Sequence, residues 1–238
     1  QRIARPKQLK FPLLVKPVKE EASYGISQAS FVETDEQFRD RVQFIHEKFD
    51  EDVITFLVQH RIPATLFATK KWLVNNPTGV SVIKQHLDLF DIEDHGENHV
   101  PAVIGKGRKV YGIPGEPDIL HLRREVQEGA RIIEQVFGVP SHWYRGATAE
   151  YDQAAAEEIR QMGFKIAGFS INADAGASLS RAQVLQRLRQ VRGGDVVIAH
   201  MNRPASQTAE GMSDGLLELL RRGLVFVRLD QVQLQDIK

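Results

Sequence analysis

Residues 88–99, DLFDIEDHGENH, decide how this chain is read. The first half, 88–93, is a short apolar-rich run. It breaks at once into Asp94-His95-Gly96-Glu97-Asn98-His99, where charge and imidazole replace hydrocarbon. A strand that runs into chemistry-bearing side chains is the pattern of a parallel α/β fold, whose reactive groups gather at the carboxyl ends of strands. Downstream, Ile119–Phe137 sets Val126, Ala130, Ile133 and Val136 at helical spacing and meets Gly138 as a stop. The next apolar run, 142–147, completes a strand–helix–strand unit.

The alternation continues in both directions. Runs at 28–34, 63–69, 164–170, 195–201 and 224–229 raise the expected strands to seven, most of them apolar on both faces as covered parallel strands are. Helices are expected at 153–162 before Gly163, at 181–191 behind Ser180 as N-cap, and from Ser206 or Thr208 to Arg222 before Gly223. Such βα units imply an α/β fold, a distorted barrel of parallel strands that closes or nearly closes. Residues 106–117 read as a long surface loop of the kind that frames binding sites.

Bulk composition narrows the function. The 238 residues are 42% hydrophobic, enough to build one large core, and no linker-like segment divides them. A domain over 28–238 is expected, preceded by a basic arm, 1–27, whose first twenty residues hold Arg2, Arg5, Lys7, Lys10, Lys16 and Lys19 against Glu20 alone. Over the whole chain Lys+Arg and Asp+Glu balance at 31 each, which disfavours a nucleic-acid partner. No apolar run is long enough to span a membrane. The chain has no cysteine, so thiolate metal sites and disulfides are excluded. It starts at Gln1 rather than Met, compatible with a signal peptide already removed, and an extracytoplasmic location is expected.

Read only at strand ends, the sequence offers Asp35 and Glu36 after the first strand, His95 and His99 after the third, Arg145 after the fourth, Asp174 beyond the fifth and His200 after the sixth. His95 and His99 are four apart, so on one turn both imidazoles can reach one cation. Each feature has a plainer reading. Asp35 and Glu36 can simply begin a helix, where acids favour the N-terminal dipole. Arg145 can be an ordinary ion-pairing residue, and His200 a satisfied structural histidine. Their coincidence at successive strand ends favours a site.

On these residues the chain resembles the polysaccharide deacetylase family over roughly residues 28–232. His95-Gly-Glu-Asn-His99 looks like its zinc-binding histidine motif, and HRIPATLFATKKWL (60–73) like the strand signature before it. Tyr144-Arg145-Gly146 sits where the family has its motif arginine, and GDVVIAHMNRP (194–204) is similar to the last motif, which supplies a general acid. The resemblance implies a distorted (β/α)7 barrel and metal-dependent removal of the N-acetyl group from an N-acetylated glycan, chitin-like or peptidoglycan. It implies a divalent ion, Zn2+ first, held by His95, His99 and Glu36, with Asp35 as base and His200 as acid. Arg145 would hold Asp35 ionised. Asp174 would orient His200 or pair with Arg145, and the two roles stay open. A backbone N–H near Ala147 would steady the oxyanion.

Trp143 and Tyr144 are candidate sugar contacts. Being adjacent on a strand they point oppositely, so at most one can stack on a ring. Trp72 reads as packing. Two departures stand out. The family's paired aspartates are matched only by Asp35-Glu36, with His46-Glu47 as a poorer competitor, and Arg145-Gly146-Ala147-Thr148 lacks the usual Pro-Tyr. A binding relative without turnover, or a metal amidohydrolase acting on a small non-sugar amide, are the alternative readings.

Overall fold

The computed structural model describes residues 8–14, 31–201 and 206–234. Most of the basic arm and the first three residues of the expected first strand lie outside them, as do the side chains of His46 and Glu47. A short antiparallel pair opens the described chain: β1 (Leu13–Leu14) against β2 (Phe31–Val32). Helix α1 (Asp35–Gln59) follows, with the Thr34 side chain accepting from the Gln37 N–H at 3.1 Å as its N-cap. Strand β3 (Ala64–Ala68), helices α2 (Lys70–Asn75) and α3 (Pro77–Lys84) and strand β4 (Phe90–Asp94) come next. Strand β5 (Pro101–Ala102) leads into a hairpin of β6 (Lys109–Val110) and β7 (Ile113–Pro114), within the expected surface loop. Then come helix α4 (Ile119–Phe137), strands β8 (Trp143–Tyr144) and β9 (Ala147–Tyr151), helix α5 (Gln153–Gln161) and strands β10 (Lys165–Ile166) and β11 (Ile171–Asn172). Helix α6 (Arg181–Leu188), strand β12 (Val197–Ile198), helix α7 (Thr208–Arg221) and a 3-10 turn at Leu229–Gln231 complete the order.

The centre is a four-stranded parallel sheet, β10-β8-β4-β3. Its outer face carries alternate residues into the helices: Leu66, Ala68, Phe90 and Ile92 meet Ile133 and Phe137 of α4 and Ile54 and Leu57 of α1. On the inner face Trp143, Ala167 and Leu229 pack with Phe67. A second parallel pair, β11-β12, stands apart from this sheet and is covered by α6 and α7 through Val184, Leu188 and Leu219. A short parallel pair, β5-β9, stands beside them, so among the described residues the main sheet and β11-β12 form two pieces of a ring that no ladder closes. The (β/α) class is that expected, although closure is not seen.

Two expected strands differ. Of the described residues of the expected first strand, 31–34, Phe31–Val32 pair, and they pair antiparallel with β1 rather than in the parallel sheet. Residues 224–228 form no strand, although Leu224 and Phe226 pack into the core while Val225 and Val227 are 84% and 50% exposed. Apolar residues on both faces made the run look doubly covered, yet one face is open. Its end is pinned by the Leu229 N–H donating to Thr65 Oγ1 at 2.9 Å, a side-chain link where a strand pair would run.

Candidate active site

The histidine motif leaves β4 in a tightly held loop. Asp94, fully buried, accepts from the Gly96 N–H at 2.8 Å through Oδ1, and Gly96 takes φ +87°. His95 is tied by Nδ1 to the Arg145 carbonyl, and its N–H donates to the Ala68 carbonyl at 3.2 Å. The ring nitrogen left over, Nε2, keeps a lone pair for a cation. Burial, then the neighbouring His99, push its pKa down to about 3, so the imidazole is neutral at ordinary pH, as a ligand must be. His99 stands edge-on to it with ring centroids 4.6 Å apart. The backbone of His99 is left-handed at φ +64°, a conformation that costs a non-glycine residue about 1–2 kcal/mol.

That strain is offset from α4. Glu125, only 3% exposed, accepts from the Asn98 N–H at 2.9 and 3.0 Å and from the Val100 N–H at 3.1 Å, and the His99 N–H also points at it. Its own carbonyl accepts from the Glu97 N–H at 2.9 Å. Burial pushes the Glu125 carboxyl up in pKa while these amides pull it back. Sequence reading missed Glu125, although the signal was there: it falls on the buried stripe Leu122, Val126, Gly129, Ile133 at helical spacing, where an acid is out of place.

Opposite this loop, β11 leads into Asp174, which is fully buried. Ala175, Gly176 and Ala177 all take positive φ (48°, 74° and 62°), a tight left-handed turn that folds the Ala177 N–H back onto the Asp174 carboxylate. Asp174 also accepts from the His200 N–H at 2.7 Å, from Thr208 Oγ1 at 3.2 Å, and from His200 Nδ1 at 2.9 Å. Burial alone would raise the carboxyl; the hydrogen bonds from His200 outweigh it and hold the group below the usual range. Of the two roles open for Asp174, the structure brings it to His200. The charges of Arg145 and His200 both add to the lowering of the His95 pKa, and the Arg145 carbonyl is tied to His95 directly.

Arg145 is buried, and its guanidinium donates to the carbonyls of Ala167 at 3.1 Å and Gly168 at 2.9 Å while lying 4.3 Å over the Phe67 ring. Burial lowers its pKa to about 10. Its described partners are thus carbonyls and a ring, where the expected partner was the Asp35 carboxylate. Asp35 and Glu36 occupy exposed positions on the first turn of α1. Among the described residues no third histidine or acid joins His95 and His99 in one metal-holding group. The acids beside the motif have other work: Asp94 faces Gly96, and Glu97 pairs with Lys70 at 2.8 Å and Arg124 at 3.4 Å. As donor set, two imidazoles, that of His95 neutral and anchored through Nδ1, fit a zinc-like ion as two of its ligands.

Trp143 and Tyr144 are both buried, Trp143 under Lys165 at 5.1 Å and Tyr144 in the cluster with Leu122 and Val126. Neither presents a ring face for stacking, which corrects the expected sugar contact. Ala147 is fully buried at the head of β9, opposite Pro101. The residues after it, Thr148 and Ala149, are both left-handed (φ 66° and 54°), at the point where the family's Pro-Tyr is missing. Trp72 packs against the main core, as expected.

The chain can now be placed. The model of the polysaccharide deacetylase family matches residues 38–167, more than half of the sequence, and the chain belongs to that family, a family of deacetylase hydrolases. Among solved structures it is similar to a CE4 family pseudoenzyme from Bacillus anthracis, with 17% identity and a TM-score of 0.62 over 78% of this chain and 60% of that one. It is also similar to the peptidoglycan deacetylase PdaC from Bacillus subtilis (16% identity, TM-score 0.61, 77% and 82% covered). A family 4 carbohydrate esterase from Streptomyces lividans in complex with acetate gives 15% identity and 0.57 over 75% and 84%. These likenesses carry the fold. The chain spans less than two thirds of the Bacillus anthracis relative's length. No curated protein matches it. No helix among the described residues is long and apolar enough to cross a membrane.

Proposed function

We propose that the chain is a metal-dependent deacetylase that removes the N-acetyl group from an N-acetylated sugar in a chitin-like or peptidoglycan glycan, outside the cytoplasm. The observation that carries this reading is an anchored two-histidine set following β4 together with a buried Asp174 hydrogen-bonded to His200 at the ends of β11 and β12. His95 and His99 would hold the ion, most simply Zn2+; the third, oxygen ligand would fall to Glu36, which would have to come to the site from the exposed first turn of α1. Such an ion supplies Lewis-acid polarisation and a water of lowered pKa.

The chain's own residues do the rest. Asp174 fixes His200 by accepting from Nδ1, so Nε2 faces the substrate and delivers the proton that the leaving amine needs. Asp35 takes a proton from the attacking water. Arg145, spanning from β8 to the carbonyls of Ala167 and Gly168, holds the wall behind His95 and adds positive potential where the carbonyl oxygen gains charge.

Acetate release from N-acetylated chitooligosaccharides, measured with zinc restored after chelation, tests the reading. His95→Ala and His99→Ala should each lose stoichiometric zinc by elemental analysis, and activity with it. Full zinc retention by either variant would falsify the ligand assignment. A second reading, glycan binding without turnover, draws support from the exposed helical positions of Asp35 and Glu36. It requires zinc and glycan binding with no acetate released.

A further inference from the structure

The geometry points to Glu125 as a positioning residue that sets the ring of His99 against His95. The inference rests on the reading of His99 as a metal ligand. Residues 98–100 turn three successive backbone N–H groups inward, and a left-handed residue in such a run makes an anion-binding concavity. Here the anion is internal. Both oxygens of Glu125 meet the Asn98 N–H, one also meets the Val100 N–H at 3.1 Å, and the Asn98 side-chain amide lies at 3.4 Å.

The fit is tight on both sides of the loop. A Cβ on Gly96 would lie 2.4 Å from Glu125 Oε1, and one on Gly129 would lie 2.0 Å from Asp94 Oδ1. One face of α4 therefore presses the motif from below. Glu125 binds the backbone of the very residue whose side chain faces the ion, so its carboxylate acts on His99 without touching the chemistry. A neutral amide in its place offers one acceptor where the carboxylate offers two, and turns an NH2 group toward N–H donors.

The test compares Glu125→Gln with Glu158→Gln, a buried acid of α5 that pairs with Arg123 of α4 and not with the motif loop's amides. Two quantities are read: the zinc dissociation constant by chelator competition, and amide hydrogen exchange at Asn98, His99 and Val100 in metal-free protein. Glu125→Gln should weaken zinc about 10–100-fold and speed exchange at the three amides, whereas Glu158→Gln should change neither. Zinc affinity within twofold of the parent, or unchanged exchange at 98–100, overturns the assignment. If the parent chain binds no zinc but the exchange effect appears, the metal reading falls and the positioning role stands. Should Glu125→Gln not fold, slow exchange of these amides in the parent supports the role and fast exchange overturns it.

Discussion

At the scale of single residues the dyad makes the sharpest demands. Asp174 carries four hydrogen bonds on a fully buried carboxylate, two of them to His200. Its native pKa lies below the unfolded value of 3.8, so its share of stability is complete above that pH and is lost as pH falls through the native value. If His200 is the acid, His200→Gln should slow amide hydrolysis about 10²–10⁴-fold, worth roughly 2.7–5.5 kcal/mol. A nitrophenyl acetate ester, whose leaving group departs without a proton, should be largely spared. The ratio of kcat/KM losses on the two substrates decides it, and equal losses speak for a structural histidine. Asp174→Asn should follow the same pattern with an added loss of melting temperature, because the amide cannot accept from four donors.

Between elements, the closest contact is that of α4 with the motif loop. In an exposed helix Gly→Ala gains about 1 kcal/mol. Gly129→Ala should instead destabilise by about 2–3 kcal/mol in urea unfolding, since its Cβ would meet Asp94 Oδ1 at 2.0 Å and the Gly96 backbone at 2.9 Å. A neutral or stabilised variant would show that the loop gives way. The helices were the legible part of the sequence. Ile119–Phe137, with Gly138 left-handed at φ 75°, and Arg181–Leu188, with Ser180 in a capping box, follow from caps and stops that act locally. Strands were less legible. Their pairing depends on distant partners, so runs 164–170 and 195–201 shrink to Lys165–Ile166 and Val197–Ile198, and Ile171–Asn172 pairs just beyond the expected run. Of the candidate site, the positions of the histidines and Asp174 were legible because strand ends advertise them, and their roles are proposals. Glu125 was not singled out, because Arg123-Arg124-Glu125 reads as a solvated charge run until the helix is turned to show which face is buried.

For the molecule as a whole, stability should depend on pH through Glu116. It is 4% exposed, one oxygen has no partner, and burial pushes its pKa up from 4.5 to about 7. Between those values the native state binds the extra proton, so this group's contribution falls as pH rises from about 4.5 to 7 and stays low above. Glu116→Gln should therefore raise unfolding free energy at pH 8, by on the order of 2–3 kcal/mol, and gain little at pH 4.5. Denaturant melts of both proteins at the two pH values check this; a gain that is equal at both would assign it to something other than ionisation.

The two pieces of the ring divide the site as well. His95 and His99 ride on the β10-β8-β4-β3 sheet, while Asp174 and His200 flank the β11-β12 pair. What lies between the two is hydrocarbon: Met212 of α7 and Phe226 pack against the cores of both pieces. If His200 is the acid, the gap between it and the imidazole pair is gauged by side-chain thickness rather than by ladder register. Trimming a methylene on the inward face of α7, with no contact to any reacting group, is then a way to retune the span across which a proton must travel.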